Sequence, residues 1–362
     1  MQRYTIKNIT GSAGILLLLA LTACTRTRKT PDVSNIPITV KIIRFDQDLY
    51  RTDTNQVAAG LHQLYLKYPG FLPTYLKDIM NFGPYNDSAT TTPVISANEP
   101  EGAAPRMTQA GAVQKMLTNP DLRRLQAAVD QQFSDMSHIN QQLAQAFRYT
   151  KYYIPAFQPP KVISFTSAIS NYGAITVDSI LGIGLDMYLG ADFGVYQQIP
   201  DLPNYMIRRF SKEYLVADAM KALEQQRYPP EKTGSRLLAQ MVDAGRQQYF
   251  LEMVLPTTPD SIRTGYTQDQ LNWCHDNEQL IWQYFVQRNL LYITDWQETT
   301  HYMGEGPSTQ GMPPGSPGQI GIFVGWQIVR SYMERHPDVT LQQLMEIKDP
   351  VQLFNEAKYK PK

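Results

Sequence analysis

The stretch SNYGAITVDSILGIGLDMYLG, residues 170–190, decides how the rest of the chain is read. Gly, Asp and Asn positions are threaded through an apolar, β-branched run, which fits a phosphate-cradling loop, a metal site or buried strands. A phosphate loop needs a glycine-rich turn that opens a helix, so that backbone N–H groups point at the anion. Gly182, Gly184 and Gly190 match neither glycine fingerprint, no Lys-Ser/Thr end follows, and apolar residues continue through them. The reading is therefore strand, with the glycines marking close backbone approach. Together with KVISFTSAIS (161–170), the stretch predicts two or three strands of one small sheet.

Working outward, helices dominate. NQVAAGLHQLYLKYPGF places Leu61, Leu64, Tyr65 and Tyr68 at helical spacing. The run 119–147 predicts a long helix or a helix pair, with Pro120 suited to a first turn. PNYMIRRFSKEYLVADAMKALEQQRY and GSRLLAQMVDAGRQQYFLEMVL read as amphipathic helices. TQDQLNWCHDNEQLIWQYFVQ opens on Thr267 and Gln270 in a capping-box pattern. IFVGWQIVRSYMERH reads as a helix, and Thr340 caps the next. Before the helices, ITVKIIRFDQDLY alternates Ile38, Val40 and Ile42 and predicts a first strand. The expected fold class is α+β, predominantly helical, with one small mixed or antiparallel sheet.

The amino terminus has a different chemistry. Arg3 and Lys7 precede the apolar run GSAGILLLLALTA, which has the length of a secretory signal. It ends in LTAC, residues 21–24, the pattern of a bacterial lipobox, so Cys24 is the expected lipidation site. Two or more acyl chains hold a protein firmly to a membrane. The expected organisation is a signal peptide over 1–23, a lipidated tether over 24–37, and one α+β domain over 38–362 with a flexible polar insertion at 86–106. Thr25 is not the Asp of inner-membrane retention, and the flank TRTRKT is not acidic. An outer-membrane lipoprotein facing the periplasm is expected.

Charge and cysteine count narrow the function. The chain has 33 basic and 33 acidic residues; removing Arg3 and Lys7 leaves 31 against 33, or −2. No basic excess is left to hold nucleic acid, and no nucleotide site is expected. With Cys24 acylated, Cys274 has no partner for an intramolecular disulfide. The five histidines include no His-Glu-x-x-His and no pair four apart, so no local zinc site is seeded. In WCHDNE, His275 and Glu278 would share a helix face, yet a solvated face beside a buried Trp273–Cys274 edge is the preferred reading. Asp178, Asp186 and Asp192 match no calcium loop, and Asp178 and Asp186 suit turn caps. No catalytic residue, metal or cofactor is expected. Twenty-two Tyr and four Trp leave room for an aromatic groove that binds peptide or glycan.

Several segments in this order, VKIIRFDQDLY, ISNYGAITVDSILGIGLDMYLG, PNYMIRRFSKEYLVADAMKAL, GYTQDQLNWCHDNEQLIWQYFVQRNLLY, GQIGIFVGWQIVRSYMER and AKYKP, resemble the GldB family. These are gliding-motility-associated lipoproteins of the Bacteroidota. The resemblance implies support of the gliding apparatus and its type IX secretion system through protein partners, and of the residues it carries over Cys24 alone. A second resemblance is to secreted zinc peptidases with His-Glu-x-x-His, the gluzincins. It sets Ala217 and Lys221 where the zinc histidines would stand and Asp218 where the catalytic Glu would, a degenerate site without zinc ligands. The helix holding them is then expected beside the sheet containing GIGLDMYLG. A periplasmic peptidase-like hydrolase and a glycan- or peptidoglycan-binding module are the alternative functions.

Overall fold

The computed structural model describes residues 30–85, 107–170, 172–200, 202–230, 235–313 and 315–361. Cys24, the expected signal peptide over 1–23 and the expected insertion at 86–106 lie outside the described residues. Val33, where the larger compact unit begins, is buried.

One four-stranded sheet organises the unit: β1 (Ile43–Arg44), β2 (Lys161–Phe165), β3 (Ala174–Val177) and β4 (Ile180–Gly184), in the order β1-β2-β4-β3. β1, β2 and β4 are parallel, and β3 runs antiparallel to β4 at the edge. β3 and β4 are joined through Asp178, whose φ of 50° shows it serving a turn. All four strands come from stretches expected to form them, β1 using only Ile43–Arg44 of the first. The sheet is mixed, and the fold is α+β with helix predominating.

The alternation in β4 explains its glycines. Successive side chains point to opposite faces, so Leu181 and Ile183 join one apolar cluster and Gly182 and Gly184 face the other. That second face is filled by Phe45, Phe71, Tyr75 and Phe165. A Cβ on Gly182 would lie 3.1 Å from both Phe165 and Phe71, and one on Gly184 would lie 2.0 Å from the Tyr172 carbonyl oxygen. The glycines admit aromatic rings and backbone.

Helices cover both faces. On the aromatic side lie α1 (Phe45–Tyr50), α2 (Val57–Lys67) and α3 (Gln109–Thr118). Phe45 stands at the centre, with its ring 5.2 Å from Tyr68, 5.2 Å from Phe71 and 4.9 Å from Tyr75. The run 119–147 forms α4 (Pro120–Gln132) and α5 (Ser137–Tyr153), with Asn119 capping α4 and Pro120 in its first turn. The larger cluster gathers α6 (Lys212–Arg227), α7 (Leu237–Val254), α8 (Gln268–Asp276), α9 (Glu278–Gln287), α10 (Trp296–Met303), α11 (Ile320–Arg335), α12 (Leu341–Glu346) and α13 (Pro350–Ala357). Thr267 and Thr340 make the capping boxes that start α8 and α12.

Two local expectations are corrected. Residues 38–42 are not strand, because their polar backbone groups go to α5: Arg148 donates to the carbonyls of Ile36 and Ile38, and Asn140 accepts from Ile42 N–H at 3.1 Å. His275 and Glu278 do not share a face, because the helix ends at Asn277 and a new one starts at Glu278. Glu278 instead accepts from Tyr359 at 2.8 Å. Cys274 is buried, which pushes its thiol up, consistent with packing rather than reactivity. Ser211 precedes α6 without a side-chain capping bond.

Candidate functional site

α6 lies against β3 and β4. Its inner face follows from spacing: Leu215, Ala219 and Leu223 recur every four residues, Met220 lies beside them, and all four are buried. Ala217 is only 1% exposed and belongs to the same apolar cluster as Leu181 and Ile183 of β4. One turn on, Lys221 sits 3.5 Å from Asp218 on the outer part of the helix. The other Asp218 oxygen accepts from the Tyr188 hydroxyl at 3.2 Å. Burial, then the charge of Asp218, pushes the Tyr188 hydroxyl well above its usual range.

The three candidate residues therefore form one locality with a definite chemistry. Ala217 offers no ligand atom, and Lys221 is an ammonium held by Asp218. Zinc needs neutral imidazole, thiolate or free carboxylate, so this donor set does not fit the metal. Among the described residues no group of three or more His, Cys, Asp or Glu side chains comes together to hold a metal ion. Asp178 turns between strands and Asp186 is used elsewhere.

The second polar locality was not foreseen as a unit. Parallel strands place their carboxyl ends together, where α/β proteins commonly build sites. Here the residues following β1, β2 and β4 converge. Asp46, fully buried, is held by Arg44 at 2.6 Å, Ser164 at 2.6 Å and Gln126 at 3.0 Å. Arg44 also reaches Asp130 at 2.8 Å and the Phe133 carbonyl at 3.0 Å. Burial would lower the Arg44 guanidinium, but hydrogen bonds and charge from Asp46 and Asp130 outweigh it and raise it. Beyond β4, Asp186 accepts from Ser167 N–H at 2.9 Å, the Ser167 hydroxyl at 3.2 Å and Ile169 N–H at 2.7 Å. Its other oxygen has no hydrogen-bond partner. Burial pushes the Asp186 carboxyl up to about 6, against the pull of those hydrogen bonds. Between the donors, Ala168 and Ile169 both take positive φ, 56° and 60°. Such backbone costs about 1–3 kcal/mol per residue and persists when its surroundings impose it. The buried Asp186 supplies that constraint. With Asp46, Ser164, Ser167 and Asp186 all closed to solvent, this locality stabilises the strand ends and offers a ligand no entrance. The sequence held one signal for it, an acidic residue two positions past the end of each of β1 and β4.

A family model described as gliding motility protein GldB matches residues 26–361, nearly the whole chain. The chain belongs to the GldB family. Membership carries a role in gliding motility and a lipoprotein character, with protein partners in that machinery. No curated protein and no solved structure matches the chain. Among the described residues of this GldB-family chain, no helix is long and apolar enough to cross a membrane.

Proposed function

We propose that this GldB-family chain is a non-catalytic lipoprotein, anchored through acylated Cys24 to the outer membrane and facing the periplasm. In this reading it supports assembly or operation of the gliding and type IX secretion apparatus by binding a protein partner. The observation that carries it is the α6–sheet junction. Where a gluzincin would present two zinc histidines, this chain has buried Ala217 and a Lys221–Asp218 pair, on a helix that lies against the edge strand β3. The junction fits a degenerate zinc-peptidase fold that has kept the substrate-side strand. β3 pairs with β4 on one side only, and an edge strand of this kind takes an extended peptide by strand addition. Backbone hydrogen bonds would hold the partner without chemistry on it.

Photo-crosslinking in cells from a probe at Thr176 of β3, read by mass spectrometry, tests the binding reading. Adducts with a component of the gliding or secretion apparatus are expected. Stoichiometric zinc on protein purified without a metal-binding tag would overturn the non-catalytic reading. The anchor has its own test: labelled fatty acid is expected on the wild-type chain and absent from Cys24→Ala. Equal labelling would remove the anchor and with it the membrane assignment.

A further inference from the structure

A cleft of about 570 Å³ lies between the last turn of α6, α7, α10 and the segment after α12. That volume is in the range of ligand pockets, about 300–1,000 Å³. Glu224 lines it while being only 5% exposed. Its one hydrogen bond among the described residues comes from the Gln247 amide, at 2.7 Å on Oε2. Of the other charges facing it, the two on α7 are paired. Asp243 pairs with Arg246, and Arg246 also donates to the Ile347 carbonyl at 2.6 Å. Arg227 lies over the Tyr228 ring, 5.7 Å from its centre, and donates to the Tyr228 hydroxyl. Lys348 stands at the same cleft from the far side. Arg227 and Lys348 are exposed to water, whereas Glu224 is buried and has no ion-pair partner among the described residues. A buried carboxylate of this kind is costly unless a cation joins it.

We infer that this cleft receives a single lysine or arginine side chain of a partner polypeptide, with its cationic head at Glu224 and its aliphatic stem along Tyr228, Met303 and Trp296. The stem needs an apolar wall, and Trp296, 62% exposed at the start of α10, supplies an aromatic face that also favours a cation. Charge decides between possible cations. Arg227 and Lys348 flank the opening, so a second positive charge is repelled while one isolated cation between neutral or acidic neighbours is admitted. A side chain of a polypeptide meets that condition; a polyamine does not. The inference rests on the protein-binding reading but uses a different surface.

Burial, opposed by the Gln247 hydrogen bond and the Arg246 charge and assisted by Asp243, pushes the Glu224 carboxyl up to about 7. The cation binds the ionised form, so affinity rises with pH through that value. For a group titrating near 7, the wild-type affinity is about tenfold greater at pH 8 than at pH 6.

The test is calorimetric titration of the mature chain in detergent micelles with Ac-Gly-Lys-Gly-NH2, Ac-Gly-Arg-Gly-NH2, Ac-Gly-Gln-Gly-NH2 and spermidine. The two cationic peptides are expected to bind, the glutamine peptide and spermidine to bind at least tenfold more weakly, and Glu224→Gln to lose at least tenfold at pH 8 with its pH dependence abolished. Trp296→Ala, at an exposed position that folding does not need, is expected to weaken the same peptides. Equal binding of the lysine and glutamine peptides, preference for spermidine, or wild-type affinity in both variants overturns the inference. Crosslinking from Thr176 is unchanged by Glu224→Gln in every case, which separates failure here from failure of the strand-addition reading.

Discussion

Gly325→Ala loses more than about 4 kcal/mol of stability, a large share of what a domain has. The expectation reverses the usual sign. In a helix interior, alanine is favoured over glycine by about 0.5–1 kcal/mol, because glycine gives up more backbone freedom. Here α11 crosses α7 with backbone against backbone. A Cβ on Gly325 would lie 1.7 Å from the Met241 carbonyl oxygen and 2.4 Å from its carbon. From the other side, a Cβ on Gly245 would lie 2.2 Å from the Gly325 oxygen. Neither obstacle is a side chain that can rotate away, so the helices must separate by more than an ångström. Close packing makes that costly, since Met241, Val242, Val324 and Ile328 around the crossing are all buried and lose contacts together. Gly321→Ala, one turn earlier on α11, is the comparison. Its Cβ would meet the Met303 sulfur at 2.5 Å, the end of a flexible side chain, and a loss of about 1–2 kcal/mol is expected. Urea midpoints followed by far-UV circular dichroism measure both. Gly325→Ala within about 1 kcal/mol of wild type would show that the helices do not meet as described.

The helix crossing also illustrates what a single sequence can and cannot carry. Local features were legible wherever neighbours along the chain settle them. The β-branched runs at 161–165, 174–177 and 180–184 formed strands, Pro120 started a helix, and Thr267 and Thr340 closed capping boxes. Asp218 and Lys221 pair as their three-residue spacing allows. Features set by distant neighbours were not legible. Ile38, Val40 and Ile42 alternate like a strand, yet α5, about a hundred positions later, takes the backbone groups of this segment. Glu224 looks like a solvated residue in a last helical turn until α7 covers it. Asp46 and Asp186 lie 140 positions apart in the chain and meet the same sheet edge because β1, β2 and β4 are parallel. The proposed lipobox at 21–24, outside the described residues, is a local pattern whose chemistry would need no fold.

Asp186→Ala is the second large loss, about 4 kcal/mol. Removing the carboxylate leaves the buried N–H groups of Ser167 and Ile169 without their acceptor, at about 1–3 kcal/mol each. It also releases Ala168 and Ile169 from the positive φ that those bonds impose. Asp186→Asn separates the hydrogen bonds from the charge. The amide oxygen can accept from the same donors, and the amide nitrogen then occupies the side on which the carboxylate has no partner. Most of the stability is therefore expected to return in Asn, and pH shows the remainder. The folded-state carboxyl titrates near 6, above its ordinary value, because burial disfavours the charge. A raised carboxyl means that the native state binds more protons than the unfolded state between the two values. Wild-type stability from this group is consequently fullest at low pH and declines as pH rises through about 6. Asp186→Asn has no such group, while Glu224 titrates in both chains and cancels in the difference. Wild type is thus expected to lose ground to Asp186→Asn from pH 4 to pH 7, the interval that the raised carboxyl defines. A flat difference over that interval would mean that Asp186 is not held buried and ionisable. Asp186→Ala as stable as Asp186→Asn would mean that its hydrogen bonds do not hold the loop at the strand ends.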